Sequence, residues 1–179
     1  SKEGAKRSIN GSAYTSFEPF GRYVTPGEEI TVYVDADSNG AMPKLCFGQV
    51  GKSEGDWRKW MTLHPGKNII KAPTNMNCAG VYLVNDYYYK EQAYAPKVRL
   101  EGGQAYPVYR HGETNPQEFV KQLEDYASKV EYSDEAFKNG NPKGKAFNIA
   151  ELVSKNCVIT TSAKGALEGV KWANTKGYN

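Results

Sequence analysis

The histidines are the residues best suited to ligate a catalytic metal, and the chain has two of them, His64 and His111. His64 precedes a Pro-Gly turn, and His111 precedes a glycine much further along the chain. A catalytic zinc usually takes three protein ligands, and the H-E-x-x-H motif supplies two from one helix. That motif does not occur in the sequence. We therefore expect both histidines to be exposed loop residues, and a zinc site that they share with a carboxylate is the alternative.

Nucleophilic and phosphate-binding patterns give no positive signal either. Nothing pairs a serine or a cysteine with a histidine at a recognisable catalytic motif, and no glycine-rich phosphate loop precedes a predicted helix. The segment from Asp35 to Gly40 matches the first half of a calcium loop, but Cys46 stands where that loop requires a bidentate glutamate. This mismatch favours a polar turn between strands, with a calcium site as the alternative.

Aromatic side chains are the remaining candidates for ligand binding. Trp57 and Trp60 flank a pair of basic residues, and Tyr87, Tyr88 and Tyr89 follow a predicted strand. Exposed aromatic rings beside hydrogen-bonding side chains can stack on sugars or contact proteins. These five residues are the predicted ligand-binding residues. The alternative for the two tryptophans is that they cover the edge of a sheet.

The three cysteines, Cys46, Cys78 and Cys157, lack the spacing of a metal site and allow at most one disulfide. Whether Cys46 pairs with Cys78 stays open from the sequence. Cys46 and Cys157 lie in predicted strands, where we expect buried thiols.

Composition restricts the class of protein. The chain has 179 residues and a net charge of +3, and its 13 tyrosines and 3 tryptophans supply apolar area for a core. Its 18 glycines and 9 prolines favour strands joined by turns. No apolar run approaches the roughly 18 residues of a membrane helix. Basic and acidic residues are spread evenly along the chain, which argues against a nucleic-acid partner.

Hydrophobic periodicity predicts short strands followed by two helices. Ile30, Val32 and Val34 alternate with polar residues, which is typical of a half-buried strand. Gly102 and Gly103 separate two alternating runs and predict a tight hairpin between residues 96–101 and 104–109. Further strands are predicted at residues 21–24, 44–50, 68–72, 80–85 and 156–161, and amphipathic helices at about 115–130 and 162–173, after the capping residues Asn115 and Ser162.

This pattern predicts a mainly β fold, an antiparallel β-sandwich with one inserted amphipathic helix and a C-terminal helix. We expect residues 1–18 to form a flexible N-terminal segment and residues 19–179 to form the sandwich region.

The order of several motifs resembles the front part of the enhancin-like, mucin-degrading zinc metallopeptidases. Residues 21–32 are similar to that family's G-x-Y-x-x-x-G-E-x-I-T-V segment. Similar segments follow at 66–73, 79–83, 98–103, 107–109, 112–114 and 150–161. The chain has Cys78-Ala79-Gly80 where the family often has two glycines before a strand.

The resemblance implies a β-sandwich portion that precedes the peptidase fold and packs against it. The family's H-E-x-x-H helix has no counterpart in this sequence, so no catalytic or metal-binding residue carries over and no cofactor is expected in this chain. Zinc would belong to a missing catalytic portion of the same polypeptide. The resemblance also implies a secreted or cell-surface parent and a glycoprotein or glycan substrate. Trp172 and Tyr178, which would pack against the missing portion, are expected to be exposed.

Three functions follow as hypotheses. The leading one is a non-catalytic β-sandwich region of such a metallopeptidase, which helps to present mucin-type glycoproteins. The alternative is an independent carbohydrate- or glycoprotein-binding module that uses the exposed aromatic residues. The third is a structural spacer that binds neither glycan nor metal.

Overall fold

The computed structural model describes residues 17–35, 42–48, 58–75, 78–84, 96–130, 146–155 and 157–177. Within these ranges the chain forms eleven strands and two helices. In chain order they are β1 (Phe17–Val24), β2 (Glu29–Val34), β3 (Lys44–Gly48), β4 (Arg58–Thr62), β5 (Gly66–Lys71), β6 (Ala79–Val84), β7 (Val98–Glu101), β8 (Gln104–Ala105), β9 (Val108–Arg110), α1 (Pro116–Ser128), β10 (Ala150–Ser154), β11 (Cys157–Thr161) and α2 (Ala163–Thr175).

Two sheets form the predicted sandwich. The first sheet has the strand order β4-β3-β6-β1-β8, and the second sheet has the order β5-β2-β7. Ile30, Val32 and Val34 of β2 point into the core that Leu45 and Phe47 of β3 enter from the other sheet. Each of these side chains is at most 3% exposed. Since burying such a side chain contributes roughly 1.5–3 kcal/mol, this core dominates the stability of the sandwich.

A third sheet, in the order β11-β10-β9, carries the helices. β10 pairs with β11 in antiparallel fashion and with β9 in parallel fashion, and α1 lies in the connection from β9 to β10. Ala150 of β10 shares a core with Phe119 and Leu123 of α1 and with Ala163 of α2. The parallel pair was not expected from the sequence, and it follows from the β-α-β connection, which parallel strands require.

Both predicted helices are confirmed, with the predicted caps. Asn115 Oδ1 accepts hydrogen bonds from the backbone N–H groups of Gln117 and Glu118 at 3.0 and 3.1 Å. Ser162 Oγ accepts one from the Gly165 N–H at 3.0 Å. Such caps satisfy backbone donors that the first helical turn leaves free. None of the described helices is long and apolar enough to span a membrane.

The predicted hairpin at Gly102-Gly103 is wrong. β7 pairs with β2 in the second sheet, whereas β8 pairs with β1 in the first sheet. The two glycines do have the expected positive φ values, 94° and 67°. A Cβ on Gly103 would lie 3.0 Å from the Tyr23 carbonyl oxygen. The glycine pair therefore carries the chain from one sheet to the other, because positive φ values permit a sharp turn without fixing which strands pair.

Two strands were not predicted. β4 pairs with β3 at the edge of the first sheet, and β10 is the central strand of the third sheet. Glu151 interrupts the apolar run of β10, so hydrophobic periodicity does not predict a buried strand at this segment. β1 begins at Phe17, which pairs with Val84, so it includes the last two residues of the segment predicted to be flexible. The rest of that segment lies outside the described residues.

Candidate functional site

Trp60 is the predicted ligand-binding residue that the structure describes, and it is half exposed. Register places it beside Cys46 of β3, which in turn lies beside Tyr82 of β6. The Trp60 side chain is 47% exposed, and its ring centroid lies 5.4 Å from that of Phe17. Phe17 then meets the Tyr82 ring edge-on at 5.8 Å. Trp60 thus covers the edge of the first sheet, as the alternative held, and still presents aromatic surface to solvent.

The other predicted ligand-binding residues, Trp57, Tyr87, Tyr88 and Tyr89, lie outside the described residues. The same holds for the candidate calcium loop beyond Asp35. Their roles therefore stay predictions.

Tyr82 lies flat over a pair of glycines. Gly48 and Gly80 are directly paired across β3 and β6. A Cβ on Gly80 would lie only 2.8 Å from Tyr82 Oη, and a Cβ on Gly48 would lie 3.3 Å from Tyr82 Cε2. The absence of side chains at these two positions leaves room for the tyrosine ring to lie along the sheet.

Glu151 of β10 is the centre of a buried hydrogen-bond cluster and has no exposed surface. Tyr106 Oη donates to Glu151 Oε2 at 2.9 Å, and Thr160 Oγ1 donates to Oε1 at 3.0 Å. The Tyr82 hydroxyl also faces Glu151 and acts to lower the pKa of its carboxyl. We call these four residues (Tyr82, Tyr106, Glu151 and Thr160) the Glu151 cluster. It joins the first sheet, through Tyr82, to the third sheet, through Glu151 and Thr160.

Burial raises the pKa of Glu151, while hydrogen bonds from Tyr82, Tyr106 and Thr160 and the positive charge of Arg110 oppose the rise. Burial likewise raises the pKa of Tyr82 and that of Tyr106, so both hydroxyls keep their protons for donation. Because the Glu151 carboxyl has no exposed surface, its hydrogen bonds serve to hold the first and third sheets together.

Arg110 of β9 connects the third sheet to β1 of the first sheet through polar contacts. Its Nη2 donates to the Pro19 carbonyl at 3.0 Å, and its Nη1 lies 3.8 Å from Glu18 Oε2. Because Arg110 belongs to β9, these contacts hold the third sheet against the first at a second point.

Phe147 contacts both α1 and β1 and so connects these two elements. Tyr126 Oη of α1 donates to the Phe147 carbonyl at 2.7 Å, and the Tyr23 ring of β1 packs 5.7 Å from the Phe147 ring. Tyr23 shares this core with Cys78 and Ile149. Burial raises the pKa of Tyr126, so its hydroxyl stays protonated as a donor.

Cys46, Cys78 and Cys157 form no disulfide with one another. Cys46 and Cys78 are buried, which confirms the expectation for Cys46. The expectation of a buried Cys157 is wrong, because Cys157 is the first residue of β11, at the edge of the third sheet.

Sequence reasoning missed the Glu151 cluster. The available signal was one acidic residue inside the apolar run Ala150-Glu151-Leu152-Val153, in a chain rich in tyrosine. A charged residue in such a run is found buried when hydrogen-bond donors surround it. The sequence does not reveal which of the tyrosines supply those donors.

Comparisons with known proteins found relatives among solved structures. No family model matches the chain, and no curated protein matches it. The M60 catalytic domain of Clostridium perfringens ZmpC, solved in complex with the sialyl T antigen, matches 90% of the chain with 27% identity and a TM-score of 0.72. The catalytic module of the metalloprotease ZmpA from the same organism matches 90% with 29% identity and a TM-score of 0.69. This chain has the architecture of part of an enhancin-like, M60 zinc metallopeptidase.

The family resemblance inferred from the motifs is thereby confirmed. The chain spans 32% of the length of the ZmpC and ZmpA structures that it matches. A protein of unknown function from Bacillus anthracis matches 93% of the chain with 21% identity and a TM-score of 0.58, which shows a shared fold.

The residues that the structure describes do not fit a catalytic zinc. Among them, no three His, Cys, Asp or Glu side chains are grouped so that they could hold a metal ion. His64 and His111 are both exposed, as predicted; His64 lies in the turn between β4 and β5, and His111 follows β9. The His64 N–H donates to Asn68 Oδ1 at 2.8 Å, which orders the turn.

Proposed function

We propose that this chain is a non-catalytic β-sandwich region of an enhancin-like zinc metallopeptidase that acts on mucin-type glycoproteins, and that it helps to present the substrate. The match of 90% of the chain to 32% of the ZmpC structure, which contains the sialyl T antigen, carries this proposal. A portion of a peptidase module that precedes the metal site can hold a glycoprotein without cleaving it.

The small number of histidines and the absence of the H-E-x-x-H motif support the non-catalytic role. The sequence has two histidines and no H-E-x-x-H motif, and both histidines lie in exposed turns. We place the zinc in another portion of the parent polypeptide, and we propose that portion and the glycoprotein substrate as the partners of this chain. A secreted or surface location of the parent belongs to the same proposal.

Incubation of the purified chain with mucin and added zinc tests the non-catalytic role. We expect no new fragments on gel electrophoresis, with or without a chelator, because the chain offers no three-ligand zinc site among its described residues. Cleavage that a chelator abolishes would contradict the proposal.

An independent carbohydrate-binding module is the second candidate, and the half-exposed ring of Trp60 favours it. Packing against Phe17 fixes the orientation of that ring, and a fixed aromatic face suits a sugar ring. If the chain binds glycans through this ring, Trp60→Ala removes the binding on a glycan array. Trp172→Ala is the matched control, because Trp172 lies on α2 and is 59% exposed.

A further inference from the structure

The outer face of the second sheet, opposite the sandwich core, carries several exposed charged side chains. Ile30, Val32 and Val34 of β2 point into the sandwich core, so Thr31 and Tyr33 point the other way. Register aligns them with exposed residues of β5 and β7 on both sides. This outer face consists of Glu29, Thr31, Tyr33, Lys67, Ile69, Lys71, Arg99 and Glu101.

A tyrosine flanked by two cations forms the centre of this face. Tyr33 is directly paired with Lys67 of β5 and with Arg99 of β7. Neighbouring strands lie about 4.8 Å apart, so the backbones of Lys67 and Arg99 are separated by roughly 10 Å. Both long side chains can therefore reach one small ligand on this face, next to the Arg99 guanidinium that covers the Tyr33 ring.

Two contacts orient the Arg99 guanidinium. Its Cζ lies 4.4 Å from the centroid of the Tyr33 ring, and its Nη2 lies 3.0 Å from Glu101 Oε1. The Arg99 side chain is nonetheless 67% exposed. A guanidinium held on an aromatic ring is preorganised to bind a planar carboxylate through two parallel hydrogen bonds.

The remaining residues fit an anionic sugar. Among the described residues Lys67 takes part in no ion pair, so its ammonium group is available to an incoming anion. Ile69, 60% exposed, is the next residue on the same face of β5 and offers apolar contact. Glu101 is the group that opposes an anion, because its carboxylate already occupies part of the Arg99 fork.

We propose that Arg99 and Lys67, on either side of Tyr33, bind the carboxylate of an acidic sugar on the glycoprotein substrate. This inference rests on the proposed function and adds to it a glycan class and a site. Exchange of the Glu101 carboxylate for the sugar carboxylate keeps Arg99 paired, and Lys67 supplies the additional attraction.

Calorimetric titration with a sialylated O-glycopeptide and with the same peptide after removal of the sialic acid tests the site. We expect the intact chain to bind the sialylated peptide at least about tenfold more tightly, a difference that corresponds to about 1.4 kcal/mol. Arg99→Ala and Lys67→Ala should each remove most of this difference. Glu101→Gln should increase it, because it frees the Arg99 fork. Lys121→Ala, an exposed charge on α1, is the control and should change nothing.

The outcomes separate this site from the proposed function. Equal binding of both peptides by the intact chain and by Arg99→Ala would overturn the acidic-sugar site while glycopeptide binding itself survives. Binding of neither peptide would overturn both. Equally tight binding of a sugar-free glutamate-rich peptide would assign the face to acidic protein segments and overturn the sugar specificity. Weaker binding in Glu101→Gln would contradict the competition that the geometry predicts.

Discussion

Glu151→Ala is expected to lower the free energy of unfolding by about 3–5 kcal/mol at neutral pH, because it leaves the donors of a fully buried cluster unpaired. Glu151→Gln should lower it by less than about 1 kcal/mol, since the amide fills the same volume and the hydroxyls of Tyr106 and Thr160 can turn to accept from it. Urea denaturation followed by tryptophan fluorescence measures both variants. Equal effects of the two substitutions would contradict the role assigned to the cluster.

The raised pKa of Glu151 also gives this prediction a pH dependence. Because burial raises the pKa, the folded chain binds this proton more tightly than the unfolded chain does. The resulting stabilisation is fully present below the ordinary value of 4.5 and is lost as the pH rises through the folded pKa. The stability of the unmodified chain relative to Glu151→Gln should therefore fall as the pH rises above 4.5. A constant difference, or one that grows with pH, would show that burial does not dominate at this carboxyl.

Gly80→Ala is expected to destabilise the chain by about 2–4 kcal/mol, because its new methyl group collides with a buried ring and displaces a hydroxyl of the Glu151 cluster. The added Cβ would lie 2.8 Å from Tyr82 Oη and 2.9 Å from Tyr82 Cε2. Gly169→Ala on α2 is the matched control, since a Cβ there meets nothing within 4 Å. That control should gain up to about 1 kcal/mol from helix propensity. Thermal and urea denaturation compare the two variants.

A double-mutant cycle identifies the collision as the cause. In a Tyr82→Leu background the long ring is gone, so Gly80→Ala should lose most of its effect. If the effects of the two substitutions were instead additive, a collision with the Tyr82 ring would not be the reason why Gly80→Ala destabilises the chain.

Much of the sandwich was predictable from the sequence because its signals are local. The alternation of Ile30, Val32 and Val34 identified β2, and the capping residues Asn115 and Ser162 located both helices. The turn glycines were identified correctly, but Gly102 and Gly103 did not reveal the strand partners. Register with β1 and β2 depends on the packing of two sheets, which no local pattern encodes.

The Glu151 cluster could not be predicted because its members come together only through long-range contacts. Tyr106 and Glu151 are 45 residues apart in sequence, and Tyr82 joins them from a different sheet. Glu151 itself interrupted the apolar pattern that identifies a buried strand. Among the predicted ligand-binding residues, Trp60 lies in an edge strand with about half of its surface exposed, and its role in ligand binding stays a prediction.

The non-catalytic role in substrate presentation is tested by calorimetric titration of the intact chain with mucin-derived O-glycopeptides and, separately, with zinc. We expect saturable binding of a glycopeptide and no stoichiometric binding of zinc. Stoichiometric zinc binding would contradict the non-catalytic role and bring His64 and His111 back as metal ligands. If no glycopeptide bound, the role in substrate presentation would be wrong and the chain would serve as a structural spacer.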